Sequence, residues 1–272
     1  MESFEMLRRA FSVSLILLYF SFILAPIVLM LIGSFGEKWF STLLPTGFTL
    51  DWYVQLFRKA MYTRAMVMSL WVAGLTVLIN GAVSVLTVYA VHVLDSRRIR
   101  AAFDFCLLLP IAIPPVVMGL GMIQAYNWKG FSLVGTWQLL LGAHLVYTLP
   151  FMMRPLMANI EMIRWSTLEE MSLSLGASLW TTIRRVLIPN LLPGIVSGAL
   201  MTFAMSLGEF QLAVMVTGSK TQTFPVVLYQ AFYVSTGFAC AATVLMVLTS
   251  LLALVGLSLL GRSFSGEAVM GS

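Results

Sequence analysis

Six charge-poor apolar runs, each long enough to cross a bilayer, constrain this 272-residue chain more than any other feature. They are Ala10–Gly33, Met66–Leu94, Ala101–Ala125, Gly135–Leu156, Leu191–Thr217 and Phe238–Leu260. A hydrocarbon core about 30 Å thick takes about 20 apolar residues to cross as a helix, and every run exceeds that. Lipid offers the backbone no hydrogen bonds, so each run is expected to be helical. The alternation over about 10 residues that marks a membrane barrel is missing. Charged residues make up 10% of the chain, against about 25% in a soluble domain. The expected class is therefore an all-α, polytopic membrane protein with about six transmembrane helices. No internal repeat or low-complexity linker divides it, so a single transmembrane domain over 1–272 is the economical organisation.

The first run is expected to stay as an anchor. Ala10–Gly33 holds 24 residues, about 36 Å as a helix, which is longer than the apolar part of a secretory signal. No Ala-x-Ala site follows it. Orientation follows from the basic residues, which concentrate in cytoplasmic loops. Arg8, Arg9, Arg97, Arg98, Arg100, Arg154, Arg164, Arg184, Arg185 and Arg262 fall on one side, and Lys38, Arg58, Lys59, Arg64, Lys129 and Lys220 on the other. Ten against six places both termini and the 157–190 loop in the cytoplasm. The net charge of +5 is then a topology signal and calls for no nucleic acid. The 34–62 segment reads as an outer loop with a short amphipathic piece near Trp52–Phe57. Phe224–Tyr229, apolar within an outer connection, suggests a half-inserted helix.

Residues 157–190 are polar and basic between two apolar spans. Leu168-Glu169-Glu170-Met171 is expected to open a helix with acids in its first turn, where the macrodipole favours them. Gly176 is expected to turn the chain. Ile183-Arg184-Arg185-Val186 resumes a helix that Pro189 is expected to stop. Two short helices on a glycine elbow would make a knob suited to a groove on a partner.

Glu170, Gly176, Val186, Ile188 and Pro189, with Glu169 before them and Ala177 after the glycine, resemble the Glu-Ala-Ala, Gly and Ile-x-Leu-Pro signature of binding-protein-dependent ABC importer permeases, with conservative swaps at Val186 and Ile188. Met171 and Ser172 replace the two alanines. His144–Phe151 and Leu108–Pro115 also look like this family, and the polyamine and aminoethylphosphonate branch most of all. The resemblance implies a permease subunit whose loop couples to a separate ATPase. It implies two ATPase copies carrying ATP and Mg, a second permease (a paralogue or a copy of itself), and an extracytoplasmic solute-binding protein. A bacterial inner membrane is the implied setting. Iron, thiamine and oxyanion permeases share much of the pattern and stand as alternatives.

The chain has no GxxxxGK[ST], since Gly218-Ser219-Lys220 lacks the spacing, so no ATP site or other cofactor is expected on it. Ionisable groups inside spans are costly and default to function. Glu209, deep in the fifth span, is the leading candidate for the translocation path, with Gln211 beside it. An ion-coupled transporter would want a second such group near it. Pro114 and Pro115, with Pro110, should bend or unwind the third span beside that path. Gly194 and Gly198 form a GxxxG that allows close helix approach, within the chain or toward a second permease. His92 and His144 lack metal spacing, Asp104 lies one turn from Arg100, and Cys106 and Cys240 read as core filling. No metal site and no enzymatic constellation is expected.

Overall fold

The computed structural model describes residues 2–39, 42, 44–94 and 96–270, excluding the side chains of 2, 3, 7, 10, 260 and 262–270. Asp95 and the Arg262 side chain, both on the expected inner side, lie outside the described residues. The helices are α1 (Glu2–Ser34), α2 (Asp51–Arg58), α3 (Ala60–Val93), α4 (Arg97–Ala112), α5 (Pro115–Ala125), α6 (Trp137–Met162), α7 (Trp165–Ser174), α8 (Leu179–Thr182), α9 (Ile188–Leu207), α10 (Gln211–Val216), α11 (Phe224–Phe232) and α12 (Thr236–Met270). A π-helical turn, Ile183–Leu187, joins α8 to α9, and a small antiparallel pair, β1 (Asn127–Trp128) and β2 (Phe131–Ser132), follows α5. Among the described residues five helices are long and apolar enough to cross a membrane, or six when α4 and α5 count as one bent span.

The third span is bent by 100° between α4 and α5. Pro115 opens α5 where a helix needs no N–H, and Pro114, exposed, holds the extended residue before it. Pro110 is carried inside α4, so the expected break falls at the Pro114-Pro115 pair alone. The expected fifth span, Leu191–Thr217, is not one helix. It stops at Leu207 and restarts at Gln211, leaving Gly208, Glu209 and Phe210 as a non-helical break. The fourth span also runs six residues further than expected, from Trp137 to Met162.

Pro189 does not stop its helix either, and a continuous helix runs Leu179–Leu207. The wider π turn before it takes up the missing proline N–H, with Ile188 N donating to Ile183 O. The Asn190 amide donates to the Val186 carbonyl at 2.7 Å, covering an acceptor near the proline.

The chain forms two compact units, one of residues up to Thr63 with Leu228–Leu248, the other of Arg64–Val227 with residues from Thr249 onward. In the first, Trp52 Nε1 of α2 donates to Gly36 O at 2.8 Å and Tyr53 donates to Ser34 Oγ at 2.8 Å. Lys59 Nζ lies 4.7 Å over the Phe238 ring. The expected amphipathic piece is thus a helix pinned by both of its aromatic hydrogen bonds.

The second unit is organised on α6 against α9. A Cβ on Gly194 would lie 2.9 Å from the Asn159 Cβ, and one on Gly198 2.8 Å from the Met152 carbonyl oxygen. The GxxxG therefore packs within the chain, where only glycine admits the approach. Val88, Leu107, Met152, Met153, Leu156, Trp165, Leu187 and Leu191 form the core around this seam.

Candidate coupling knob and helix break

The 157–190 segment builds its knob from both ends. α7 starts at Trp165, behind Arg164 in the left-handed region at φ 49. Glu169 and Glu170 therefore lie in the second turn, and the first turn has no acid. The expected helix-dipole role for the pair does not apply, since that effect fades beyond the first turn. Gly176 has φ 78 with open space around its missing Cβ. Glycine here is a backbone requirement, since an L side chain at that angle is strained in any surroundings. The chain resumes at α8 with the Ser178 hydroxyl capping the Thr181 N–H.

The knob has two faces. On the inner one, Trp165 is fully buried and meets Tyr89 of α3 edge-on, with ring centroids 6.2 Å apart. Tyr89 donates to Glu169 Oε1 at 2.9 Å. Ser172 and Thr182, both buried, share a 2.7 Å hydroxyl–hydroxyl bond that clasps α7 to α8. Leu168, Ile183 and Val186 pack on the core below. On the outer face Glu170, Gly176 and Ile188 are exposed, while Ala177 and Pro189 are partly covered. Met171, Leu173, Leu179 and Trp180 are exposed with them, and Leu175 at the tip is 87% exposed. Apolar side chains gathered at a polar elbow mark an interaction surface. Reading the loop for polarity missed this tip, although its alternating leucines were visible.

The second site is the break between α9 and α10. Glu209 is 6% exposed, and its two carboxylate oxygens accept the Leu212 and Ala213 N–H groups at 2.7 and 2.8 Å. The acid caps α10, which explains how a helix restarts after the break. His144 of α6, also buried, bonds Ser206 Oγ of α9 through Nδ1 at 2.8 Å. Its Nε2 lies 3.9 Å from Glu209 Oε2. Further along α6, Thr148 bonds the His144 carbonyl and receives Asn80 Nδ2 of α3 at 3.0 Å. A buried polar line thus joins α3, α6, α9 and α10.

A cavity of about 400 Å³ opens on this break, lined by Pro115, Tyr147, Met205, Glu209, Phe210 and Gln211 among others. It brings together three residues singled out for the path, Glu209, Gln211 and Pro115, and leaves Pro114 outside its lining. Arg100, one turn from Asp104, pairs with Glu161 of α6 at 3.7 Å. Among the described residues no cluster of three or more metal-ligating side chains occurs. Cys106 is exposed rather than packed, and Cys240 is half-buried.

Comparison with known proteins identifies the family. Residues 84–266 match the family described as binding-protein-dependent transport system inner membrane component. The putative 2-aminoethylphosphonate transport system permease PhnV of Salmonella paratyphi A is 30% identical over 225 residues, covering 82% of each chain. The spermidine/putrescine transport system permease PotC of Haemophilus influenzae is 29% identical over 256 residues, 93% of this chain and 95% of that one. The fold matches a chain of a bacterial ABC transporter that imports the acidic polysaccharide alginate, with TM-score 0.75 and 17% identity over 97% of this chain and 99% of the other. The chain belongs to the binding-protein-dependent transport system inner membrane components, and it is the permease subunit of an ATP-binding cassette importer.

Proposed function

We propose that the chain works as one of a pair of permeases, with two copies of a separate ATPase seated on the 157–190 knob. A solute-binding protein on the opposite face would deliver the cargo. The observation that carries this reading is the contrast within the knob, apolar and exposed at Leu175 and Trp180, yet built into the helix core through Trp165. A protrusion of that kind is dressed for a partner and stiff enough to be pushed. Glu170, Met171, Gly176 and Ala177 would contact the ATPase. Val186, Ile188 and Pro189 would join the knob to α9, and Glu169 and Ser172 would hold it together. ATP and Mg would be bound by the partner. Both termini and the knob would lie in the cytoplasm, as the arginine count suggests.

The solute we infer is a small amine-bearing molecule of the polyamine or aminoethylphosphonate kind. The likeness to PhnV and PotC supports this class, and it does not favour the iron, thiamine or oxyanion alternatives. The cavity at the break supports it too, because Glu209 and Gln211 supply polar recognition beside Pro115. Pro114 would act from outside the cavity, by setting the bend.

The test is a mild-detergent pull-down of the tagged chain from its native membranes, with ATPase assay and identification of co-purifying subunits. An ATPase is expected that departs when Glu170 and Gly176 are replaced. The companion binding protein then identifies the solute. A chain that emerges alone and indifferent to ATP would overturn the reading and make Glu209 the first suspect in an ion-coupled carrier.

A further inference from the structure

Tyr89 and Glu169 are 80 residues apart in sequence and share a 2.9 Å hydrogen bond. Tyr89 belongs to the long helix α3, one of the apolar spans, and Glu169 to α7 of the knob. Glu169 is half-buried, whereas its neighbour Glu170 points outward and is exposed. The phenol ring rests edge-on against Trp165, which is itself fully buried at the start of α7. Two contacts of different kinds, one polar and one aromatic, therefore fix α7 to α3.

The rest of the knob is attached elsewhere. α8 and the π turn continue directly into α9, and the Ser172–Thr182 bond ties α7 to α8. A push on the exposed tip thus has a covalent route into α9. Its route into α3 runs through Tyr89, Glu169 and Trp165.

We propose that Tyr89 and Glu169 form a strut that transmits movement of the coupling knob to α3, so that Glu169 is a positioning residue and Glu170 alone of the two acids faces the ATPase. The physical requirement is stiffness. Packed apolar surfaces slide, whereas a hydrogen bond to a carboxylate is directional and short. Transmission between sites needs such an element with two arrangements that both ends bias. The strut rests on the reading that a separate ATPase pushes on the knob.

The experiment uses the complex purified with its native ATPase, carrying a reporter cysteine at Arg64, an exposed residue at the end of α3 remote from Tyr89, with Cys106→Ser and Cys240→Ala removing the native thiols. Maleimide labelling is followed with and without ATP and vanadate. Nucleotide trapping is expected to change the labelling rate. Tyr89→Phe keeps the ring against Trp165 and removes only the hydroxyl. It should retain bound ATPase and hydrolysis while the trapped population falls about tenfold, the scale of one hydrogen bond to a charged group. Glu169→Ala should do the same, and the double variant should add nothing further. Glu170→Gln should instead release the ATPase.

A Tyr89→Phe complex with the full nucleotide-driven change would overturn the strut. So would a Glu169→Ala variant that sheds the ATPase as Glu170→Gln does, since that places Glu169 in the docking surface. A wild-type chain that brings no ATPase out of the membrane would overturn the functional reading beneath it.

Discussion

The knob at 157–190 and the break at 208–210 both interrupt long apolar helices, and they solve the resulting problem in opposite ways. The knob keeps its polar pairs inside, Tyr89 with Glu169 and Ser172 with Thr182, and turns leucine, methionine and tryptophan outward. The break keeps its apolar residues packed and buries a carboxylate, an imidazole and a hydroxyl together. The difference shows what each place must satisfy. A polar surface element that gathers exposed apolar groups offers a face for another protein or for lipid to cover. At the break the N–H groups of the buried Leu212 and Ala213 turn into the packed interior, so a side chain takes them.

If that contrast holds, substitutions at the break should act on stability and those at the knob's tip on partnership. The largest effect is expected for Glu209→Ala. It strips the Leu212 and Ala213 N–H groups of their acceptor, at about 1–3 kcal/mol each. Thermal unfolding in detergent should move down sharply and uptake should vanish. Glu209→Gln, which retains an acceptor oxygen, should recover part of the stability.

Gly198→Leu comes next. Its side chain would meet the Met152 backbone at 2.8 Å, and overpacking of this sort costs about 1–3 kcal/mol. Reduced accumulation in the membrane and a lower melting temperature would register it. A melting temperature equal to wild type would show that the α6–α9 seam is looser than drawn.

Ser172→Ala leaves the buried Thr182 hydroxyl without its partner, for about 1 kcal/mol. A small shift in unfolding with a measurable drop in ATP-coupled uptake is expected. The smallest effect on stability belongs to Leu175→Ser at the tip, within about 0.5 kcal/mol as for most surface changes. The same variant should nonetheless lose co-purifying ATPase, and retention of a full complement would break the comparison at the knob.

The spans, the bent third segment and the glycine elbow were legible in the sequence. The first two follow from apolar length and from Pro114-Pro115, the third from a residue whose positive φ needs no neighbour to explain it. Glu209 was legible as an anomaly, an acid in an oily run, and its place in the path remained open. Its occupation by two backbone N–H groups was not legible, because nothing local announces that α9 ends at Leu207. Pro189 misled for a related reason. A proline ordinarily ends a helix, yet a π turn and the Asn190 amide let this one continue.

What the sequence determined by itself is what the solvent and the backbone impose residue by residue. Lipid demands hydrogen-bonded apolar helices, proline demands a break or a detour, and glycine permits a turn. Only the tertiary structure decided which polar groups meet. His144 finds Ser206 at a separation of 62 residues and Tyr89 finds Glu169 at 80. A buried polar side chain must have a partner, but which one it takes depends on the helices that packing brings alongside. For His144 and Ser206 that choice is made by the close α6–α9 seam at Gly194 and Gly198, and no window of the sequence contains it.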